Sequence, residues 1–91
     1  MKITNKACAG TREKSDIAIC IAPGNAGIQL SVTSVVEQQF GGAIRQTILA
    51  GLAGKGIKDA VVEAEDFGAP DFVIQARLEA ALQRGAGEED I

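Results

Sequence analysis

The hydrophobic pattern of this chain changes period at residue 34, and that change constrains the fold more than any other feature. Before it, Ile17, Ile19 and Ile21 alternate with Ala18, Cys20 and Ala22, and Ile28, Leu30 and Val32 alternate with Gln29, Ser31 and Thr33. A period of two belongs to strands, with one face apolar and the other small or polar. After it, Val36, Phe40, Ala43, Ile44, Ile48 and Leu52 recur at three- and four-residue spacing, the stripe of an amphipathic helix. Ser34-Val35-Val36-Glu37 has the spacing of a capping box, which marks where the helix begins.

The connections follow from turn chemistry. Pro23-Gly24-Asn25-Ala26-Gly27 lies between two strands and predicts that they close as a hairpin. Gly41-Gly42 predicts a close contact or a bend within the helix, and Gly54 or Gly56 ends it. Alternation returns over 57–66, with Ala60, Val62 and Ala64 facing inward. Glu63 and Glu65 point outward, which argues for exposure or an edge position. Pro70 suits the first position of a last helix carrying Ile74, Leu78, Ala81 and Leu82 on its inner face. A first strand falls somewhere in 1–9.

The resulting order is β-β-β-α-β-α. The expected fold class is therefore α+β, an antiparallel or mixed sheet with two helices packed on one face. With 91 residues there is one core, assigned here to 1–85, and a frayed acidic tail over 86–91.

Composition narrows the chemistry. There is no histidine, hence no imidazole base, ligand or partner for a nucleophile. Cys8 and Cys20 lack CxxC spacing and sit among apolar neighbours, so they read as small buried structural thiols. Residues 1–57 carry six basic residues against three acidic ones, and 58–91 carry three against nine. That split, with no stacking Trp or Tyr, argues against nucleic acid and suits docking onto a protein partner. No secretory leader or membrane span is visible, and the chain reads as cytoplasmic. Asp59, Glu63, Glu65 and Asp66 are split between faces by strand alternation, so they read as a solvated acidic surface rather than a cation site. No familiar catalytic constellation is present, so the chain is expected to be non-catalytic on its own.

One polar stretch joins chemistry to position: Gly10-Thr11-Arg12-Glu13-Lys14-Ser15-Asp16, just before the Ile-rich strand. Ser15 is a hydroxyl that could bear a covalently attached group, with Arg12 and Lys14 offsetting a phosphodiester. Otherwise it is a turn hydroxyl bonded to the local backbone.

Several segments in order across the chain resemble the acyl carrier, or gamma, subunit of citrate lyase. They are Met1-Lys2-Ile3 with Ala7 to Thr11 and Glu13, and Ser15-Asp16 leading to Ala22-Pro23. Ser34-Val35-Val36-Glu37-Gln38-Gln39-Phe40-Gly41 is similar too, as are Ala43-Ile44-Arg45, Thr47-Ile48-Leu49, Gly68-Ala69 with Asp71, and Gln75 to Ala80. The four-helix acyl carrier proteins are a poorer match, since their Asp-Ser-Leu opens a helix.

The resemblance implies a cytoplasmic phosphoprotein of citrate fermentation, acting within a hetero-oligomer. It would carry a serine-linked phosphoribosyl dephospho-coenzyme A arm, supplied as 2'-(5''-triphosphoribosyl)-3'-dephospho-CoA, on which acetyl and citryl ride as thioesters. Its partners would be the alpha acyl-transferase subunit, the beta lyase subunit and a prosthetic-group transferase. The family's attachment serine is similar in position to Lys14, so the phosphodiester is expected on Ser15. The alternative is an unmodified docking subunit.

Overall fold

The computed structural model describes residues 1–35 and 37–86, with 37–40 described by backbone only. The elements are β1 (Ala7–Ala9), β2 (Ile17–Ala22), β3 (Ile28–Ser34), α1 (Glu37–Gly54), β4 (Ala60–Asp66) and α2 (Asp71–Ala86). Their order is the one the periodicity dictates. They form a single mixed sheet, β1-β2-β4-β3, in which β3 runs parallel to β4 and the other pairs are antiparallel.

Both helices pack on one face. Ile17, Ile19 and Ile21 from β2, Ala60, Val62 and Ala64 from β4, and Val32 from β3 meet Ile44, Ile48 and Leu52 of α1 and Ile74, Leu78, Ala81 and Leu82 of α2 in one core. The other face is open, with Ala18, Cys20 and Ala22 half-buried and Glu63 and Glu65 exposed. Alternation thus works as read, and each strand contributes one apolar row.

The hairpin expected across Pro23–Gly27 does not form. β4 inserts between β2 and β3, so that Ala22 pairs with Val61 and Ile28 with Ala60. A parallel β3–β4 pair needs a crossover, and α1 supplies it. The 23–27 loop must then span two strand spacings over the start of β4. It does so closely: a Cβ on Gly24 would stand 3.2 Å from the Ala60 backbone, and Gly27 accepts from the Ala60 N–H at 3.2 Å. β4 is accordingly central rather than an edge. Its glutamates are exposed because they lie on the sheet face that no helix covers, and face and edge are separate properties.

Other expectations need local correction. The cysteines are not separate buried thiols: Cys8 and Cys20 stand directly opposite one another across β1 and β2 and are joined as a disulfide, with Cys8 exposed. The same alternation that buries Ile19 and Ile21 turns Cys20 outward. In α1 the inner stripe runs through Gly41, Ile44, Ile48 and Leu52, while Ala43 is exposed. Val36, the Phe40 side chain and the Glu37 half of the capping box lie outside the described residues. Ser34 ends β3, and its hydroxyl donates to Asp66 Oδ2 at 2.7 Å.

A close helix contact falls at Gly51, where a Cβ would come within 2.5 Å of Leu78 Cδ2; of the Gly41-Gly42 pair, Gly41 is buried and a Cβ at Gly42 would meet nothing. Gly56, with φ +69°, ends α1 in a Schellman arrangement: Ile57 N–H donates to Leu52 O at 3.1 Å and Gly56 N–H to Ala53 O at 3.0 Å. Pro70 precedes α2, its carbonyl accepting from Val73 and Ile74 N–H. Ala86 is still helical and buried, and the remainder of the expected tail, 87–91, lies outside the described residues.

Candidate functional site: the 10–16 loop

β1 and β2 form a hairpin whose connection is the polar stretch 10–16. Its neck needs Gly10. With φ +93°, this residue lies so close to the Ile17 carbonyl that any Cβ would collide with it. At the tip, Asp16 N–H donates to Glu13 O at 3.1 Å, closing a turn with Lys14 and Ser15 in its central positions. Ser15 has φ +66° and is the one residue other than glycine with positive φ among the described residues. A type II turn requires positive φ at its third residue and usually finds Gly or Asn there. A serine in that position is a strained choice, and strain of this kind is found where surroundings hold it.

Two sets of contacts hold it. Ser15 N–H donates to Phe67 O at 2.8 Å and Phe67 N–H to Asp16 O at 2.9 Å, extending the β2–β4 ladder past the strand ends. Beneath them lies the Asp16 carboxylate, 8% exposed. It accepts from Thr11 N–H at 3.2 Å, Thr11 Oγ1 at 2.6 Å and Ile17 N–H at 2.7 Å, tying the chain before the turn to the chain after it. Arg77 of α2 completes the set with two parallel bonds, Nε to Oδ1 and Nη2 to Oδ2, both 3.0 Å. Fork-to-carboxylate geometry of this kind is the strong form of an ion pair. The Arg77 bonds, then the Thr11 hydroxyl, hold Asp16 far below the usual carboxylate range against the opposing effect of burial.

The Ser15 side chain is exposed, and its hydroxyl has no hydrogen-bond partner among the described residues. Lys14 is exposed beside it. Arg12 is exposed as well and pairs with Glu65 of β4 at 3.1 Å. The loop thus carries Arg12 just before its turn and Lys14 and Ser15 in the turn's central positions. What can be done there is attachment at the Ser15 oxygen, with two cations in the same loop.

Asp16 belongs to the polar stretch read from the sequence, but neither its burial nor its pairing with Arg77 was read there. The signal was present for Arg77, which lies three residues after Ile74 and so borders the inner stripe of α2. A second buried acid, Asp66, corrects the reading of the acidic cluster as a solvated surface: it continues the inward row Ala60, Val62, Ala64 by one step. It is 1% exposed and accepts from Ser34 Oγ, Gly68 N–H and Ala69 N–H. The acidic cluster is divided by the register: Asp66 points in, Glu63 and Glu65 point out, and Asp59 accepts from Gly27 N–H at 2.8 Å.

Comparison with known proteins agrees with this architecture. Residues 4–85 match the family model described as the acyl carrier, malonate decarboxylase delta subunit. A Vibrio cholerae citrate lyase acyl carrier protein is 49% identical over 100% of this chain and 94% of its own length. The Halothermothrix orenii citrate lyase acyl carrier protein is 42% identical over 100% of this chain and 98% of its own. In fold, the chain matches one from the crystal structure of a Pseudomonas malonate decarboxylase hetero-tetramer in complex with malonate. The TM-score is 0.77 at 21% identity, over 88% of this chain and 82% of that one. Among the described residues no helix is long and apolar enough to cross a membrane.

Proposed function

The chain belongs to the acyl carrier protein family of citrate lyase and malonate decarboxylase, and from that premise we propose that it presents Ser15 of a citrate lyase complex for covalent attachment of a phosphoribosyl dephospho-coenzyme A arm. The observation carrying the proposal is Ser15 itself, an exposed hydroxyl without a described hydrogen bond, held at positive φ on a braced turn. The group fits the residues present: a free oxygen for the phosphodiester, with Lys14 adjacent and Arg12 in the same loop to offset phosphate charge. Bound there, it would supply a terminal thiol on which acetyl or citryl is carried as a thioester.

The chain's own part is then positional. Arg12 can leave Glu65 for a phosphate at little cost, because exposed pairs contribute only about 0–1 kcal/mol. In this reading attachment relies on a separate transferase, and cleavage relies on the alpha acyl-transferase and beta lyase subunits. The carrier itself is non-catalytic. Its compartment is the cytoplasm, where disulfides are rare, so an intact mass also reads whether Cys8 and Cys20 are joined.

A second reading is favoured by one residue. Lys14 occupies the position of the family's attachment serine, as an unmodified docking subunit would allow. The test is co-expression with the prosthetic-group transferase, followed by intact mass and mapping of residues 10–20, with a relative that has serine at that position loaded in parallel. The arm's mass on Ser15, lost in Ser15→Ala, is the expected result. An unmodified peptide beside a loaded control would transfer the chain to the docking reading.

A further inference from the structure

We infer that Arg77 of α2 is the positioning residue that makes Ser15 loadable, acting through Asp16 and without touching the incoming group; this rests on the carrier reading above. Arg77 lies 61 positions from Asp16 in the chain yet places both of its bonds on the two Asp16 oxygens. Those same oxygens hold Thr11 before the turn and Ile17 after it, so one carboxylate sets the separation of the two ends of the loop. Ser15 lies between them with a φ that serine does not favour.

The direction of coupling follows. The carboxylate is nearly enclosed, and a guanidinium is the only cation bound to it among the described residues. Without Arg77, an ion in a low-dielectric site has lost its counter-charge and two of its hydrogen bonds, and it relieves that by turning toward water. The bonds to Thr11 and Ile17 cannot survive such a movement. The turn between them is then free to leave the left-handed region, and Ser15 no longer points as it does. A transferase that must align one hydroxyl with its donor is sensitive to displacement on this scale, since misplacement by about 1 Å can cost on the order of a hundredfold.

The coupling also explains why the device lies on a helix. α2 packs against both β1 and β2, the two strands of the hairpin that carries the loop. A residue fixed on α2 therefore references the tip to the core rather than to the exposed end of the hairpin itself.

The experiment compares the full chain with Arg77→Gln, Arg77→Lys and Thr11→Val. It measures loading by the transferase as added mass with time, kcat and KM for the carrier as substrate, and the Ser15 backbone coupling constant and carbon shifts by NMR. The expected result is a loss of roughly tenfold to a hundredfold in kcat/KM for Arg77→Gln, together with a Ser15 signal that has left the positive-φ range. Arg77→Lys should lie between, keeping the charge without the fork. Thr11→Val removes one hydroxyl bond and should shift both readouts in the same direction by a smaller factor. It also carries the test if Arg77→Gln fails to fold.

Loading unchanged while the Ser15 signal moves would overturn the inference, as would lost loading with the Ser15 signal unmoved, which would mean that Arg77 meets the transferase directly. If the wild type itself takes no group, the carrier reading fails. The NMR comparison then still decides whether Arg77 controls the turn.

Discussion

The two buried aspartates of this protein sit one step apart on neighbouring strands, Asp16 just before β2 and Asp66 at the end of β4, and they are satisfied in opposite ways. Among the described residues Asp66 accepts from neutral donors only, a hydroxyl and two backbone N–H groups within three residues of itself or on the adjacent strand end. Asp16 also takes backbone and hydroxyl donors but adds a guanidinium brought from a helix late in the chain. The difference teaches what each end of the sheet is for. Asp66 closes a connection, β4 into α2, that any fold of this shape must make. Asp16 joins an exposed loop to the core through a charge, and an otherwise solvated polar turn has no need of that.

The largest effect should come from breaking the charged member. Arg77→Gln leaves the Asp16 carboxylate buried without its cation, and a loss of about 2–4 kcal/mol is expected, the upper end of the range for broken buried pairs being discounted because the Arg77 side chain is 42% exposed. Chemical denaturation read by circular dichroism checks it. Acid should sharpen the contrast. Asp16 is held below its unfolded value, so its contribution is fully present above the ordinary carboxylate pKa of about 4 and is lost as pH falls below it. Wild-type stability should therefore drop steeply below about pH 4, and Arg77→Gln should show a flatter acid limb. An equally steep limb in the variant would mean that other carboxylates dominate.

Asp66→Ala comes next, at roughly 1–3 kcal/mol, because Ser34 Oγ and the Gly68 and Ala69 amides lose their acceptor together. Ser34→Ala removes a single donor from Asp66 and should cost nearer about 1 kcal/mol. Neither should alter the Ser15 NMR signature that Arg77→Gln moves. If Asp66→Ala did so, the two ends would not be independent, and the functional distinction between the aspartates would collapse.

How much of this was legible in the chain follows from which interactions are local. Alternation and the period change fixed β2, β3, α1, β4 and α2, because each depends on residues two to four apart, whereas the first strand was placed only somewhere in 1–9. The single layer of helices followed from Ile17-Ile19-Ile21 being larger than Ala18-Cys20-Ala22. Pairing was not legible. Pro23–Gly27 is good hairpin chemistry, and nothing in those five residues reports that β4, more than thirty residues later, enters the gap. The cysteines failed for the same reason: their neighbours are apolar, but their partner is across a strand pair whose register only the fold sets. At the site, the loop and its exposed Ser15 were visible as composition. The pairing of Asp16 with Arg77 was not, since a salt link spanning most of the chain leaves no local trace beyond Arg77 bordering an apolar stripe.

The smallest predicted effect separates the buried pair from an exposed one on the same loop. Arg12 and Glu65 make a 3.1 Å ion pair whose side chains are 74% and 47% exposed. Water screens both charges, and holding two long side chains together costs entropy, so Glu65→Gln should change stability by less than about 0.5 kcal/mol and by less still at high salt. Its consequence should appear elsewhere. Releasing Arg12 from a carboxylate leaves the loop with a cation free to meet phosphate, so the KM for loading should fall about two- to threefold at low ionic strength, with kcat unchanged. The opposite sign, a higher KM, would mean that Glu65 orients Arg12 rather than competing for it, and that the exposed pair, like the buried one, belongs to the bracing of the loop.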